Sequence, residues 1–326
     1  MPARWYGPRW GMPRWSPTGG QYVHMDVAVT GSSGLIGRAL CVALEDRGDR
    51  VRRLVRRAPD TGDKITWDPI HGVLDPADLG GIDAVVHLAG AGIADRRWTR
   101  ARMDLILESR TRGTSLIADT VAAARSSGDG PGVLVSGSAI GFYGDRGDER
   151  LDESSPRGGG FLADVCAAWE AATRAAEVVG VRVAHARTGV VLSADGGLLA
   201  RQLPIFRLGL GGPLGPGSQV MGWISIRDEV AALCWLIDHE LDGPVNLVAP
   251  EPVTSAVFSR ALGSVLRRPA RLRVPAFAPM ALFGTELVRE LMLASALVRP
   301  GVLVDSGFVF AHPTVETCLR AVLGRD

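Results

Sequence analysis

From Met25 to about residue 189, short apolar runs alternate with longer stretches in which apolar residues recur every three or four positions. Asp26–Thr30 (DVAVT) reads as a strand. Leu35, Ile36, Leu40, Ala43 and Leu44 then keep helical spacing, and Gly48 closes that helix. Val51–Val55, Lys64–Trp67 and Asp83–Leu88 read as further strands. A long helix is predicted over Thr99–Ala124, a strand over Val133–Ser136, a helix over Phe161–Val179 and a strand over Val181–Ala186. Strands alternating with helices predict βαβ units, hence an α/β fold with a Rossmann-type, doubly wound parallel sheet. Beyond Gly189 the pattern breaks into Gly/Pro-rich loops such as Leu208–Gly217 (LGLGGPLGPG), and helices punctuated by Pro269, Pro275, Pro279 and Pro300 follow. The expected organisation is a Rossmann-type domain over 25–240 and a smaller, mostly helical C-terminal domain over 241–326.

Residues 1–24 stand apart. Arg4-Trp5, Arg9-Trp10 and Arg14-Trp15 repeat with Pro and Gly between them, without helix or strand periodicity. An apolar core of the secretory-signal kind is missing. We read the segment as a disordered N-terminal extension, with Met25 an alternative start; a basic, aromatic docking peptide is the other reading.

Composition narrows the function. Hydrophobic residues make up 46% and charged residues 22%, enough to build a sizeable core. The formal net charge of +1 gives no ground to expect a nucleic-acid or membrane partner. Cys41, Cys166, Cys234 and Cys318 are scattered, with neither a CxxC pair nor a histidine cluster beside them. That argues against a disulfide framework or a metal site and fits a reducing, cytoplasmic compartment. No apolar run approaches the roughly 18 residues of a membrane span.

The strongest chemical signal is Thr30–Gly37 (TGSSGLIG), set between the first strand and the first helix. Gly31, Gly34 and Gly37 suit a tight turn that lets a pyrophosphate approach the backbone. Ser32, Ser33, Leu35 and Ile36 complete the turn, where the free N–H groups of the helix N-terminus favour an anion. The second strand ends in Arg56 and Arg57, with no carboxylate until Asp60. An acidic residue there would hold a ribose 2′-hydroxyl, whereas arginine suits a 2′-phosphate, so NADP is expected rather than NAD.

Together, TGSSGLIG, His87–Gly90 (HLAG), Ser136–Gly144 (SGSAIGFYG) and Arg187–Ser193 (RTGVVLS) resemble the short-chain dehydrogenase/reductase superfamily. More narrowly, the chain resembles an atypical branch, the nucleoside-diphosphate-sugar epimerase-like "epimerase family" proteins. This narrower likeness rests on Arg96–Thr99 (RRWT), Ser109–Thr114 (SRTRGT), Phe161–Glu170 (FLADVCAAWE), Leu203–Gln219, Gly243–Thr254 and Gly307–Pro313. It spans nearly all of Met25–Leu323. The resemblance implies a Rossmann NADP-binding domain and a C-terminal domain of uncharacterised function. It also implies cofactor contacts from the backbone of Leu88, Ala89 and Gly90 and from Arg110 and Arg187.

The same resemblance exposes a gap. The superfamily's hydride chemistry uses a Tyr and, four residues on, a Lys that lowers its pKa, with a Ser on the preceding strand end. Ser138 matches that serine. Aligning Glu170 with the Glu that ends the family's YxxxKxxxE run puts Cys166 and Leu162 at the Lys and Tyr positions. Lys64 is the only lysine, and Tyr143 is the only tyrosine outside the N-terminal extension. Ser138 and Tyr143 are therefore the candidate catalytic residues, and Cys166 reads as core. Ser225 and Arg227 stand where many relatives have His and Asp, and Asp228 reads as a cap or first-turn acid of the next helix. Two functions follow. One is an NADP-dependent oxidoreductase or epimerase acting on an unknown small molecule; the alternative is a non-catalytic NADP-dependent redox sensor or scaffold, such as a cell-division-linked regulator. A homodimer is left open.

Overall fold

Strands covered by helices on both sheet faces need no alternation of apolar and polar residues, and the near-continuous apolar runs of this chain form such a sheet. The computed structural model describes residues 24–56 and 61–325. The N-terminal segment 1–23 and Arg57 lie outside the described residues.

The early strands are β1 (Asp26–Thr30), β2 (Arg50–Val55), β3 (Lys64–Thr66), β4 (Ala84–His87) and β5 (Val133–Ala139). After a two-residue strand β6 (Arg150–Leu151) come β7 (Arg182–Thr188), β8 (Val190–Leu192), β9 (Val220–Met221), β10 (Trp223–Ser225) and β11 (Gly243–Leu247). The central sheet has seven strands in the order β11-β7-β5-β4-β1-β2-β3, all paired in parallel. Strand order reverses between β1 and β4, and in such sheets the crevice beyond the carboxyl ends at that point receives ligands. β11 lies past residue 240, so the sheet draws on both sides of the expected domain division.

Helices α1 (Leu35–Asp46) and α6 (Ile226–Asp238) cover one sheet face; α2 (Arg100–Ser126) and α4 (Arg174–Val178) cover the other. Alternate β1 side chains serve the two cores: Val27 and Val29 pack toward α1 and α6, Ala28 toward α2. The helix expected over Phe161–Val179 is divided into α3 (Phe161–Ala171) and α4. At the break, the Thr173 hydroxyl donates 2.8 Å to the Glu170 carbonyl, the local side-chain-to-backbone bond with which threonine interrupts helices.

A further core joins α5 (Gly197–Arg207), α7 (Ser255–Leu266), the terminal helix Val315–Val322 and Trp223. The glycine-rich loop of 208–217 is tied to 272–274 by Val274 N–H donating to Pro213 and Gly215 N–H donating to Val274. Among the described residues, no helix is long and apolar enough to cross a membrane.

Candidate active site

The loop after β1 carries the backbone features an anion site needs. Gly31 has φ +67°, and a Cβ there would lie 2.9 Å from the Leu88 carbonyl carbon. A Cβ on Gly37 would lie 2.2 Å from the Gly31 oxygen, so only glycine lets α1 start this close to the turn. Gly34 stands at the N-cap without a side-chain cap, and the first turn of α1 holds no acidic residue. The uncapped N–H groups therefore face the crevice with their positive dipole end unopposed.

Thr30 fastens the other wall. Its hydroxyl oxygen accepts from Leu88 N–H at 3.0 Å and Ala89 N–H at 3.2 Å. With those acceptor positions filled, its proton goes to His87 Nδ1, 2.8 Å away, which fixes the proton of the neutral imidazole on Nε2. Burial, helped by the nearby Arg110 charge, lowers the His87 pKa to about 4, so the ring stays neutral. One threonine thus sets the distance between the glycine turn and the 88–90 backbone.

The resulting cleft has a volume of about 770 Å³. Gly31, Ser32, Ser33, Gly34, Leu88, Ala89 and Gly90 line it, together with Arg56, Lys64, Trp67, Pro69 and Ile70. Leu35, Ile36 and Gly37 form the helix start beside it. Arg53 is paired with Glu45 and with Asp63. Another cavity, about 610 Å³, lies at the amino ends of β7 and β11, on the side of the sheet away from the glycine turn.

Arg110 and Arg187 occupy different places from the other expected cofactor residues. Arg110 is buried beneath the 90–91 backbone, donating to the carbonyls of Ala91 at 3.0 Å and Ile106 at 3.1 Å. Its guanidinium stacks 4.9 Å from the Trp169 ring centre and would sit 3.3 Å from a Cβ at Gly90. Burial lowers its pKa to about 10, and no carboxylate pairs with it among the described residues.

Arg187, at the end of β7, belongs to a buried polar chain. It grips Glu170 with two bonds, Nε to Oε1 at 2.8 Å and the second terminal nitrogen to Oε2 at 2.9 Å. Ser138 Oγ donates to the same Oε1 at 2.7 Å. The other terminal nitrogen of Arg187 donates to Tyr143 Oη at 3.0 Å, and Tyr143 donates to Asn246 Oδ1 at 2.7 Å. Ser138 and Tyr143 are therefore joined through Glu170 and Arg187 rather than to each other. Tyr143 is fully buried and both functions of its hydroxyl are used; burial raises its pKa above the ordinary value.

Leu162 and Cys166 lie in the core, and burial pushes the Cys166 thiol up to about 12, so it stays protonated at neutral pH. Asp228 is the first-turn acid of α6, behind the Ser225 cap, and accepts from the backbone of Ala311 and His312. Sequence reasoning did not assign roles to Thr30, Lys64, Trp67 or Asn246. A second basic residue in the β2–β3 region was the available sign for Lys64.

The chain is similar to known proteins over nearly all of its length. Residues 27–248 match the NAD dependent epimerase/dehydratase family, and residues 274–322 match a domain of unknown function, DUF1731. An epimerase family protein of Mycobacterium bovis is 45% identical over 90% of this chain and 96% of its own length. The human epimerase family protein SDR39U1, whose crystal structure was determined with NADPH, superimposes with a TM-score of 0.83 at 31% identity, over 92% of this chain and 99% of that one. A nucleoside-diphosphate sugar epimerase structure from Corynebacterium glutamicum gives a TM-score of 0.75 at 35% identity, over 93% of this chain and 59% of that one. The chain belongs to the NAD dependent epimerase/dehydratase family and carries the DUF1731 domain at its C-terminal end.

Proposed function

We propose that this protein binds NADP(H) in the cleft at the β1/β4 switch point and exchanges hydride with a small alcohol or carbonyl substrate. One observation carries the reading: the glycine turn and uncapped α1 terminus share the cleft with Arg56, which follows β2, and Lys64, which opens β3. That pairing suits a dinucleotide with a pyrophosphate at one place and a 2′-phosphate at another. The NADPH in the SDR39U1 structure supports the choice. Four buried cysteines without disulfides support a cytoplasmic setting.

Bound there, the dinucleotide supplies or accepts a hydride. The protein's part is to hold and move a proton. Ser138 donates to Glu170, so its lone pairs remain to accept from a substrate hydroxyl. In alcohol oxidation, the substrate proton passes to Ser138 Oγ as the Ser138 proton moves to the Glu170 carboxylate; reduction runs the transfers backwards. Arg187 keeps Glu170 in place for that exchange.

A second reading, NADP(H) occupancy as a redox signal without turnover, is favoured by Leu162 and Cys166, which fill the usual Tyr and Lys positions with core side chains. Fluorescence titration of the full chain with NADPH and NADH, followed by a panel of alcohols, carbonyls and sugar nucleotides, separates the readings. Tight NADPH binding with substrate-dependent oxidation is expected. Binding without turnover across the panel favours the sensor, and absence of binding overturns both.

A further inference from the structure

The near-neutral net charge conceals an uneven distribution. Between Asp195 and Asp228, and again between Glu251 and Glu286, the sequence holds eight arginines and no acidic residue. The fold brings these stretches side by side. Leu214 and Val274 form a parallel bridge, and Arg268 Nε donates to the Arg207 carbonyl at 2.9 Å. Arg207, Arg267, Arg268, Arg271 and Arg273 are all exposed. None of the five has an ion-pair partner among the described residues.

Large apolar side chains stand exposed between them. Leu208 is 73% exposed, Leu272 53%, Phe277 72% and Leu282 73%. Leu272 falls directly between Arg271 and Arg273, and Phe277 follows four residues on. Arg267 closes α7 at φ 54°, a left-handed position usually given to glycine, and is itself exposed. Solvated loops normally intersperse charges of both signs and keep large apolar groups covered.

We propose that this face, built from the 207–210 and 267–282 segments, docks on the surface of an anionic phospholipid bilayer. The arginines meet lipid phosphates and anionic headgroups, while Leu208, Leu272, Phe277 and Leu282 enter the headgroup–acyl boundary. Charge complementarity selects an acidic partner, and the exposed leucines and phenylalanine select one with an apolar layer beneath its charge. A nucleic acid offers the phosphates without that layer. The contact is peripheral and separate from the cofactor cleft.

The test is co-sedimentation of the full chain with vesicles of phosphatidylcholine alone or with about one-third phosphatidylserine, at low and high salt. Salt-sensitive binding to the anionic vesicles alone is expected. The Arg271→Glu/Arg273→Glu pair should weaken it by at least about tenfold, since each basic group near such a surface contributes measurably. Phe277→Ser should weaken it without changing its salt dependence. Unchanged NADPH affinity and melting temperature show that the variants fold. Equal binding to both vesicle types, no binding, or full binding by the charge-reversed pair would overturn the proposal. So would arginine-dependent binding of an oligonucleotide without vesicle binding.

Discussion

Ser138 Oγ donates a 2.7 Å hydrogen bond to Glu170 Oε1, linking the carboxyl end of β5 to α3. Both residues are buried or nearly so, and Glu170 is held from its other side by Arg187. A carboxylate fixed by a guanidinium thus stands behind the one hydroxyl that matches the superfamily's active serine. Ser138→Ala should abolish turnover while leaving NADPH affinity and melting temperature close to the parent's. Turnover that survives would remove the proton path proposed for Ser138.

Glu170→Gln has a different signature, because it leaves the Arg187 charge buried without its partner. Removing one member of a buried ion pair costs about 3–5 kcal/mol, toward the lower end here because Glu170 retains some exposure. Chemical denaturation should show a clear loss of stability, with NADPH affinity little changed. Full stability would mean that water screens the pair.

Tyr143→Phe tests whether the lone tyrosine of the fold is structural. The change removes bonds to Arg187 and Asn246 and leaves both groups buried. A cost of about 1–3 kcal/mol is expected from their lost partners. Unaltered stability together with lost turnover would instead assign Tyr143 to proton transfer.

Glu229 gives a pH dependence. It is fully buried, Oε1 accepts from Thr188 at 2.9 Å, and Oε2 has no partner. Burial raises its pKa from 4.5 to about 8. Its contribution to stability is therefore complete below the unfolded value of 4.5 and declines as pH rises through about 8. The loss amounts to about 3 kcal/mol by neutral pH. Glu229→Gln should flatten the fall in stability between about pH 5 and about pH 8, measured by urea unfolding at both. An unchanged slope would show that another group titrates.

The sheet was legible in sequence because its strands are short apolar runs separated by helical spacing; β1 lies at Asp26–Thr30 as read. The glycine turn was legible because its steric demand is written in residue type. Other features depend on pairings distant in sequence. Ser138 and Glu170 are 32 residues apart, and Tyr143 and Asn246 are 103 apart. Arg110 reads as a cofactor contact, yet the helix carries it beneath the 90–91 backbone, a direction set by packing against Trp169. Net charge misses the arginine-rich face because acidic residues elsewhere cancel it.

The most direct test of the central claim compares NADPH and NADH dissociation constants for the parent chain and for Arg56→Asp combined with Lys64→Ala. Both residues line the cleft from the end of β2 and the start of β3 rather than from the turn between β1 and α1, so they should act on the 2′-phosphate alone. The parent should prefer NADPH by at least about tenfold, equivalent to about 1.4 kcal/mol, and the variant should lose this preference while its NADH affinity holds. Equal affinities in the parent, or parallel loss of both cofactors in the variant, would contradict that claim.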